Sequence, residues 1–98
     1  KFNVWASGGS VVEVHSSRIV QTDGNSGDGR ALYATGSDSW IYSYSSLVYG
    51  KTHSAYESGG GNVTLMGGRM SNNETTGVTC SAIRHWDDNR ALNGDCDL

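Results

Sequence analysis

A five-residue pattern recurs three times along the 98-residue chain and constrains the fold more than any other sequence feature. Each copy reads a small or apolar residue, an aromatic residue, a variable residue, a hydroxyl residue and glycine. The copies, 28 and 23 residues apart, are Val4–Gly8, Leu32–Gly36 and Ala55–Gly59. A unit this small cannot bury an apolar face alone, so such repeats are typical of stacked architectures that share one core.

Two further strands are predicted after each glycine. The second strands are Val11–His15, Trp40–Tyr44 and Asn62–Met66. The third strands are Arg18–Val20, Leu47–Tyr49 and Arg69–Ser71. A fourth copy begins at Gly77–Cys80. Strand, glycine turn, strand, short turn and strand together predict an all-β fold, a short parallel β-solenoid of three to four coils.

Alternation assigns the faces of the second strand, because successive side chains of a strand point to opposite sides. The inward columns are Val12/Ile41/Val63 and Val14/Ser43/Leu65. The outward columns are Val11/Trp40/Asn62, Glu13/Tyr42/Thr64 and His15/Tyr44/Met66. In the first strand, Leu32 favours the core whereas Glu57 does not. The orientation of the aromatic column Trp5/Tyr33/Tyr56 is therefore left open.

Composition supports short strands and excludes several classes of partner. The chain has 14 glycines, no proline and a formal net charge of −3, which favours tight turns over a helical bundle. Its arginines are scattered, so nucleic acid is not an expected partner. No apolar run approaches the roughly 20 residues of a membrane span. The opening Lys1–Trp5 has no signal-peptide core, so we expect a mature chain or an excised domain.

The last segment departs from the repeat. We expect one domain overall, with residues 1–80 forming the solenoid and residues 81–98 forming a C-terminal cap. Residues 81–92 allow a short helix of at most two turns, with Ser81 as its N-cap. Its Ile83 and Trp86 would then close the open end of the solenoid. A disulfide between Cys80 and Cys96 would tether the cap and contribute on the order of 3 kcal/mol.

Two runs, Gly29–Gly36 and Ser58–Leu65, resemble repeats of right-handed parallel β-helix proteins. That group includes autotransporter-type adhesins and polysaccharide-active enzymes such as pectate lyases. The resemblance covers about residues 2–80 and implies the architecture, but no catalytic motif of the group matches a position here. In format rather than motif, the chain is also similar to small secreted yeast killer toxins, with one cysteine pair and an apparent maturation point at Lys1.

The most informative functional feature is the aromatic strip, defined as Trp40, Tyr42 and Tyr44. If Ile41 is in the core, all three rings stand on the outer face of one strand, and exposed aromatic rows commonly mark binding surfaces. Sugar rings could stack on this strip, with hydrogen bonds from Glu13, His15 and Asn62. The competing interpretation is that Trp86 and the tail, or another subunit, cover the strip.

Other candidate chemistry is weaker. The segment Asp23–Gly29 spaces oxygen atoms like a calcium loop, but its twelfth position is Ala34 rather than an acid, which favours a polar turn. Three histidines, His15, His53 and His85, lack metal-binding spacing, so no metal or cofactor is expected. A glycosidase pair of Glu13 and Glu57 would need a separation that the sequence does not give.

These observations predict a secreted, extracellular, non-enzymatic protein that binds a cell-surface or cell-wall component, a glycan in the first instance. The cysteine pair and the sequons at Asn62 and Asn73, which are candidate glycosylation sites, favour secretion. The main alternative is a killer-type toxin that damages competing cells and contacts their membranes. A polysaccharide-active enzyme and an ice-binding solenoid are remoter alternatives. Association with another chain through the solenoid ends is a further expectation.

Overall fold

The computed structural model describes residues 2–22, 29–71, 78–87 and 89–96. Within these ranges the chain forms eight strands and no helix. The strands are β1 (Phe2–Ala6), β2 (Val11–His15), β3 (Arg18–Gln21), β4 (Arg30–Thr35), β5 (Trp40–Gly50), β6 (His53–Ser58), β7 (Asn62–Met70) and β8 (Val78–His85). The predicted mostly-β fold is confirmed. The calcium-loop residues 23–28 and the sequon residue Asn73 lie outside the described residues.

The strands form two parallel sheets. The first has three strands in the order β1-β4-β6, and the second has five, in the order β2-β5-β7-β8 with β3 beside the second half of β5. This pairing establishes two separate parallel sheets. It does not by itself establish the continuous coils of the predicted solenoid. The ladders are separate because glycines with positive φ, at Gly8, Gly36 and Gly59, turn the chain out of the first sheet.

Strand register confirms the predicted columns of the second sheet. Val12 pairs with Ile41, which pairs with Val63, and Val14, Ser43 and Leu65 align in the same way. Ile41 and Val63 are fully buried, and Val12 packs against the core at the edge strand. In the third strands, Ile19, Val48 and Met70 form another buried column.

The register also settles the open question of the first strand. Leu32 and Ala55 are aligned and fully buried. Trp5, which is aligned with the residue after Leu32, is 57% exposed. The aromatic column Trp5/Tyr33/Tyr56 therefore lies on the outer face of the three-stranded sheet. Side chains from both sheets, such as Leu32 and Ile41, belong to one hydrophobic core.

The expectation of a short helix after residue 80 is wrong. Residues 78–85 form β8, which pairs in parallel with β7, and the boundary drawn between residues 80 and 81 falls inside this strand. A strand is favoured over a helix here because the backbone groups of β8 form hydrogen bonds with the free edge of β7. Ile83 is meanwhile buried opposite Gly68. The ring of Trp86 lies against Tyr49, 5.4 Å between centroids.

After β8 the chain turns and runs back along the outer edge of that strand. Arg84 and Ala91 form an antiparallel bridge, the Leu92 N–H donates to the Ile83 carbonyl at 2.9 Å, and the Cys80 N–H donates to the Gly94 carbonyl at 3.0 Å. The predicted disulfide between Cys80 and Cys96 is confirmed. The tail thus occupies an edge that would otherwise be open to other strands.

Truncating Ile41 to Ala tests the shared core. The side chain is fully buried between Val12 and Val63, so its loss leaves a cavity and should lower the free energy of unfolding by about 2–5 kcal/mol. Val11→Ala is the control, because Val11 is 61% exposed and should shift stability by only about 0.5 kcal/mol or less. Equal urea midpoints for the two variants would contradict this assignment.

Replacing both cysteines by serine tests the tail. The fold should lose on the order of 3 kcal/mol, because the unfolded chain gains freedom when the link is absent. Hydrogen exchange should accelerate most at the amides of Cys80, His85 and Leu92, whose partners lie across the tail and β8. The amide of Trp40, inside the sheet, is the reference. If protection from exchange at these three amides is unchanged relative to Trp40, the tail holds its position without the disulfide.

Candidate functional site

The aromatic strip lies on the outer face of the five-stranded sheet, as predicted. Trp40, Tyr42 and Tyr44 are half-buried in β5, whereas the intervening Ile41 and Ser43 are buried. Strand alternation alone produces this arrangement, since each ring stands two residues from the next. The strip is therefore built into the backbone rather than carried by a loop, which fixes the spacing of its rings.

The rings of the strip are nearly parallel. Centroids of Trp40 and Tyr42 are 5.8 Å apart with 11° between planes, and those of Tyr42 and Tyr44 are 6.5 Å apart with 20°. The imidazole of His15, on the neighbouring strand β2, extends the row against Tyr44 at 4.6 Å and 13°. Four near-parallel rings thus form one continuous row along and across the sheet.

Polar side chains lie on both sides of the aromatic strip. Glu13 is aligned with Tyr42, and its Oε1 lies 2.9 Å from Nε2 of His15. Both side chains are more than half exposed, so the pair orients the imidazole but contributes little to stability. On the other side, Asn62 is aligned with Trp40, and its Nδ2 donates to the Gly60 carbonyl at 3.3 Å.

The structure thus brings together all six residues predicted for binding. They are Trp40, Tyr42, Tyr44, Glu13, His15 and Asn62. Asn62 was also predicted as a glycosylation site, and an attached glycan there would stand beside Trp40. The two roles therefore compete for one position. Within the part of the chain that the structure describes, the ring contact of Trp86 is with Tyr49, on the second half of β5, rather than with the aromatic strip.

Two weaker combinations considered from the sequence, the Glu13/Glu57 pair and the three histidines, lie on different strands. Glu13 lies in the five-stranded sheet and Glu57 in the three-stranded sheet. His15, His53 and His85 belong to β2, β6 and β8, and the described residues contain no group of three side chains that could hold a metal ion.

A second aromatic cluster lies on the outer face of the three-stranded sheet, and sequence reasoning identified only part of it. The Arg30 guanidinium carbon lies 3.9 Å from the ring centroid of Tyr56 and 5.1 Å from that of Tyr33. His53 is aligned with Arg30, and its ring meets that of Tyr56 edge-on at 5.0 Å. Arg30 and His53 were not predicted as members of a site.

The reason for the omission is local. Alternation places Arg30 and Leu32 on the same face, but Ala31 and Leu32 are both fully buried, so the pattern shifts by one residue. Arg30 therefore emerges on the outer face beside Tyr33. The paired strand repeats the shift, with Ser54 and Ala55 both fully buried. The sequence signal for this cluster was a basic residue three positions before each of its two tyrosines, Arg30 before Tyr33 and His53 before Tyr56.

A shallow pocket of about 350 Å³ lies near the end of β8, lined among the described residues by Leu47, Arg69 and Trp86. Leu47 is 38% exposed and aligned with Arg69. The pocket combines an apolar wall with one cation, but it lies outside the aromatic strip.

Comparison with protein-family models, with curated proteins and with solved structures finds no match. Among the described residues no helix is long and apolar enough to cross a membrane.

Burial, and secondarily the charge of Arg30, lower the pKa of His53 below the ordinary value of 6.5. The unfolded chain then binds the proton more readily, so the contribution of His53 to stability is full above pH 6.5 and declines as the pH falls below it. His53→Gln should reduce this loss of stability. Urea unfolding between pH 7.5 and 4.5 measures it, with His15→Gln as control. Identical profiles for wild type and His53→Gln would contradict the assignment.

Proposed function

We propose that the protein is a secreted, non-enzymatic module that binds a cell-surface or cell-wall glycan through the aromatic strip. The observation that carries the proposal is the row of near-parallel rings on the outer face of the sheet, flanked by Glu13, His15 and Asn62. Aromatic rings offer apolar area to the C–H faces of sugars, and neighbouring polar groups fix orientation through hydrogen bonds.

The architecture we propose is a short parallel solenoid, with the two sheets as its walls. Two features support it. The chain returns to the three-stranded sheet at β1, β4 and β6 and runs through the five-stranded sheet after each of them, and β1 pairs with β4 and β2 with β5 at offsets of 28 and 29 residues. The same winding is implied by the resemblance of Gly29–Gly36 and Ser58–Leu65 to parallel β-helix repeats. A wall of this kind offers a flat binding face rather than a cleft.

The open position of the strip favours an extended glycan over a small soluble ligand. Pockets for small molecules usually enclose most of the ligand surface, whereas the strip is a half-buried row on a sheet. A polysaccharide chain lying along β5 could contact Trp40, Tyr42 and Tyr44 in succession. Such a ligand gains affinity from several modest contacts rather than from one enclosed site.

The proposal requires that the protein is located outside the cell. The Cys80–Cys96 disulfide is compatible with an oxidising environment, where such links persist. Glycan on a cell wall or surface is met in the same environment. The location is therefore part of the proposal and is tested with it.

Trp40→Ala should weaken binding to insoluble polysaccharide by tenfold or more. Truncating an aromatic anchor at the centre of an interface typically costs at least about 2 kcal/mol. Depletion of the protein from suspensions of cellulose, chitin and β-1,3-glucan measures binding. The melting temperature should shift by only a few degrees, because the ring is half-buried on an outer face.

Val11→Ala is the matched control, since Val11 is aligned with Trp40 but carries no ring. Wild-type affinity in Trp40→Ala, or a collapse of its stability, would contradict a binding role for this ring. Release of cytoplasmic contents from intact yeast by the wild-type protein would instead favour the toxin alternative.

A further inference from the structure

The outer face of the three-stranded sheet carries a second row of aromatic rings, the cross-strand row, defined as Trp5, Tyr33 and Tyr56. Trp5 and Tyr33 lie 6.2 Å apart with 16° between planes, and Tyr33 and Tyr56 lie 5.5 Å apart with 67°. Each ring comes from a different strand, because parallel in-register pairing places equivalent residues side by side. The row therefore runs across the strands, whereas the aromatic strip runs along one.

We propose that the cross-strand row is a second glycan-binding face, so that one chain binds two polysaccharide strands at once. This inference rests on the proposed function of the aromatic strip. The two rows belong to different sheets, and the inner faces of both sheets contribute to one buried core. The outer faces therefore point away from that core on different sides, and one sugar unit cannot contact both rows.

Exposure distinguishes this row from ordinary surface packing. Trp5 is 57% exposed, which is a large apolar area to leave in water on a 98-residue chain. The indole stands at the end of a row rather than alone, and Tyr33 and Tyr56 beside it are half-buried. A sugar ring stacked on the row would remove the exposed indole face from water.

Contacts with neighbouring side chains hold the rings of the row in place before any ligand arrives. The Arg30 guanidinium lies over Tyr56 and Tyr33, and the Tyr33 hydroxyl is 2.8 Å from the Oγ of Ser58. Ser58 in turn donates to the Oγ1 of Thr35 at 3.2 Å. Rings ordered in this way lose little freedom on binding, which favours affinity.

Geometry also indicates the class of ligand. The row crosses three strands, with Trp5 and Tyr33 near-parallel and Tyr56 edge-on to Tyr33. This open, extended arrangement fits a pyranose chain exposed at the surface of an insoluble polysaccharide. Hydroxyls at its edge, those of Tyr33, Thr35 and Ser58, provide the hydrogen-bonding groups that orient sugars. With two faces on one rigid core, binding at one face raises the effective concentration at the other, and the protein bridges neighbouring chains.

Titration with a soluble hexasaccharide from each polysaccharide tested above should give about two sites per wild-type chain. Trp40→Ala and Trp5→Ala should each retain about one site, and the double variant none. Wild type should clump polysaccharide microparticles, whereas neither single variant should. Val11→Ala is the control and should behave as wild type.

The outcomes separate the two proposals. One site in wild type that Trp40→Ala removes and Trp5→Ala leaves intact would overturn the second face while supporting the strip. Loss of all binding in Trp5→Ala alone would overturn the proposed function of the strip and the bridging model together. Retention of both sites in Trp5→Ala would also overturn the second face.

A measurement on a variant that keeps Trp5 guards against a Trp5→Ala chain that fails to fold. The variant Trp40→Phe/Trp86→Phe leaves Trp5 as the single tryptophan. Acrylamide quenching of its fluorescence should fall when the hexasaccharide is added, because a stacked sugar shields the indole. Unchanged quenching at saturating hexasaccharide would overturn the assignment of Trp5 to a binding face.

Discussion

In-register parallel pairing is the constraint on which the rest of the structure depends. Because equivalent residues lie side by side, a backbone conformation required in one strand is imposed on its neighbours. The corner after the second strand shows this, since Ser16, Ser45, Gly67 and Ala82 all have positive φ, between 46° and 74°. Three of these four are not glycine, although such residues disfavour that region. Pairing of neighbouring strands therefore outweighs the conformational cost of a positive φ at each of these residues. It also keeps the core columns and the outward columns aligned.

Much of the fold was predictable because alternation and repetition are both local in the sequence. The columns through Ile41 and Ile19, the outward aromatic strip and the cysteine pair follow from spacing alone. The strand at residues 78–85 was missed in its second half because a helical pattern is also local, whereas the edge of β7 that decides the outcome is distant in the chain. The cluster around Arg30 was missed for a different reason. A single shift in alternation at Ala31 puts Arg30 on the face opposite Leu32. Strict alternation does not predict that shift, and the basic residues three positions before Tyr33 and Tyr56 are the one sequence signal of the cluster.

The two aromatic rows illustrate how one repeat can create surfaces of different kinds. Rings along β5 stand at every second residue of a single strand, so that row needs only one favourable sequence segment. Rings of the cross-strand row stand at one position of three successive repeats, so that row depends on repetition and on register. A slip of one residue between β1 and β4 would leave the first row intact and dismantle the second. The integrity of the cross-strand row thus depends on correct register between the strands.

The antiparallel tail makes the two edges of the five-stranded sheet different. On the β8 side, backbone groups of the last strand are occupied by residues 90–94, and the disulfide holds that segment down. On the β2 side, among the residues the structure describes, the edge strand pairs only with β5. A further strand could pair with the β2 edge, which the described residues leave open on one side, whereas a strand added at β8 would first have to displace a segment fastened by a disulfide. The tail therefore makes the two edges of the five-stranded sheet unequal.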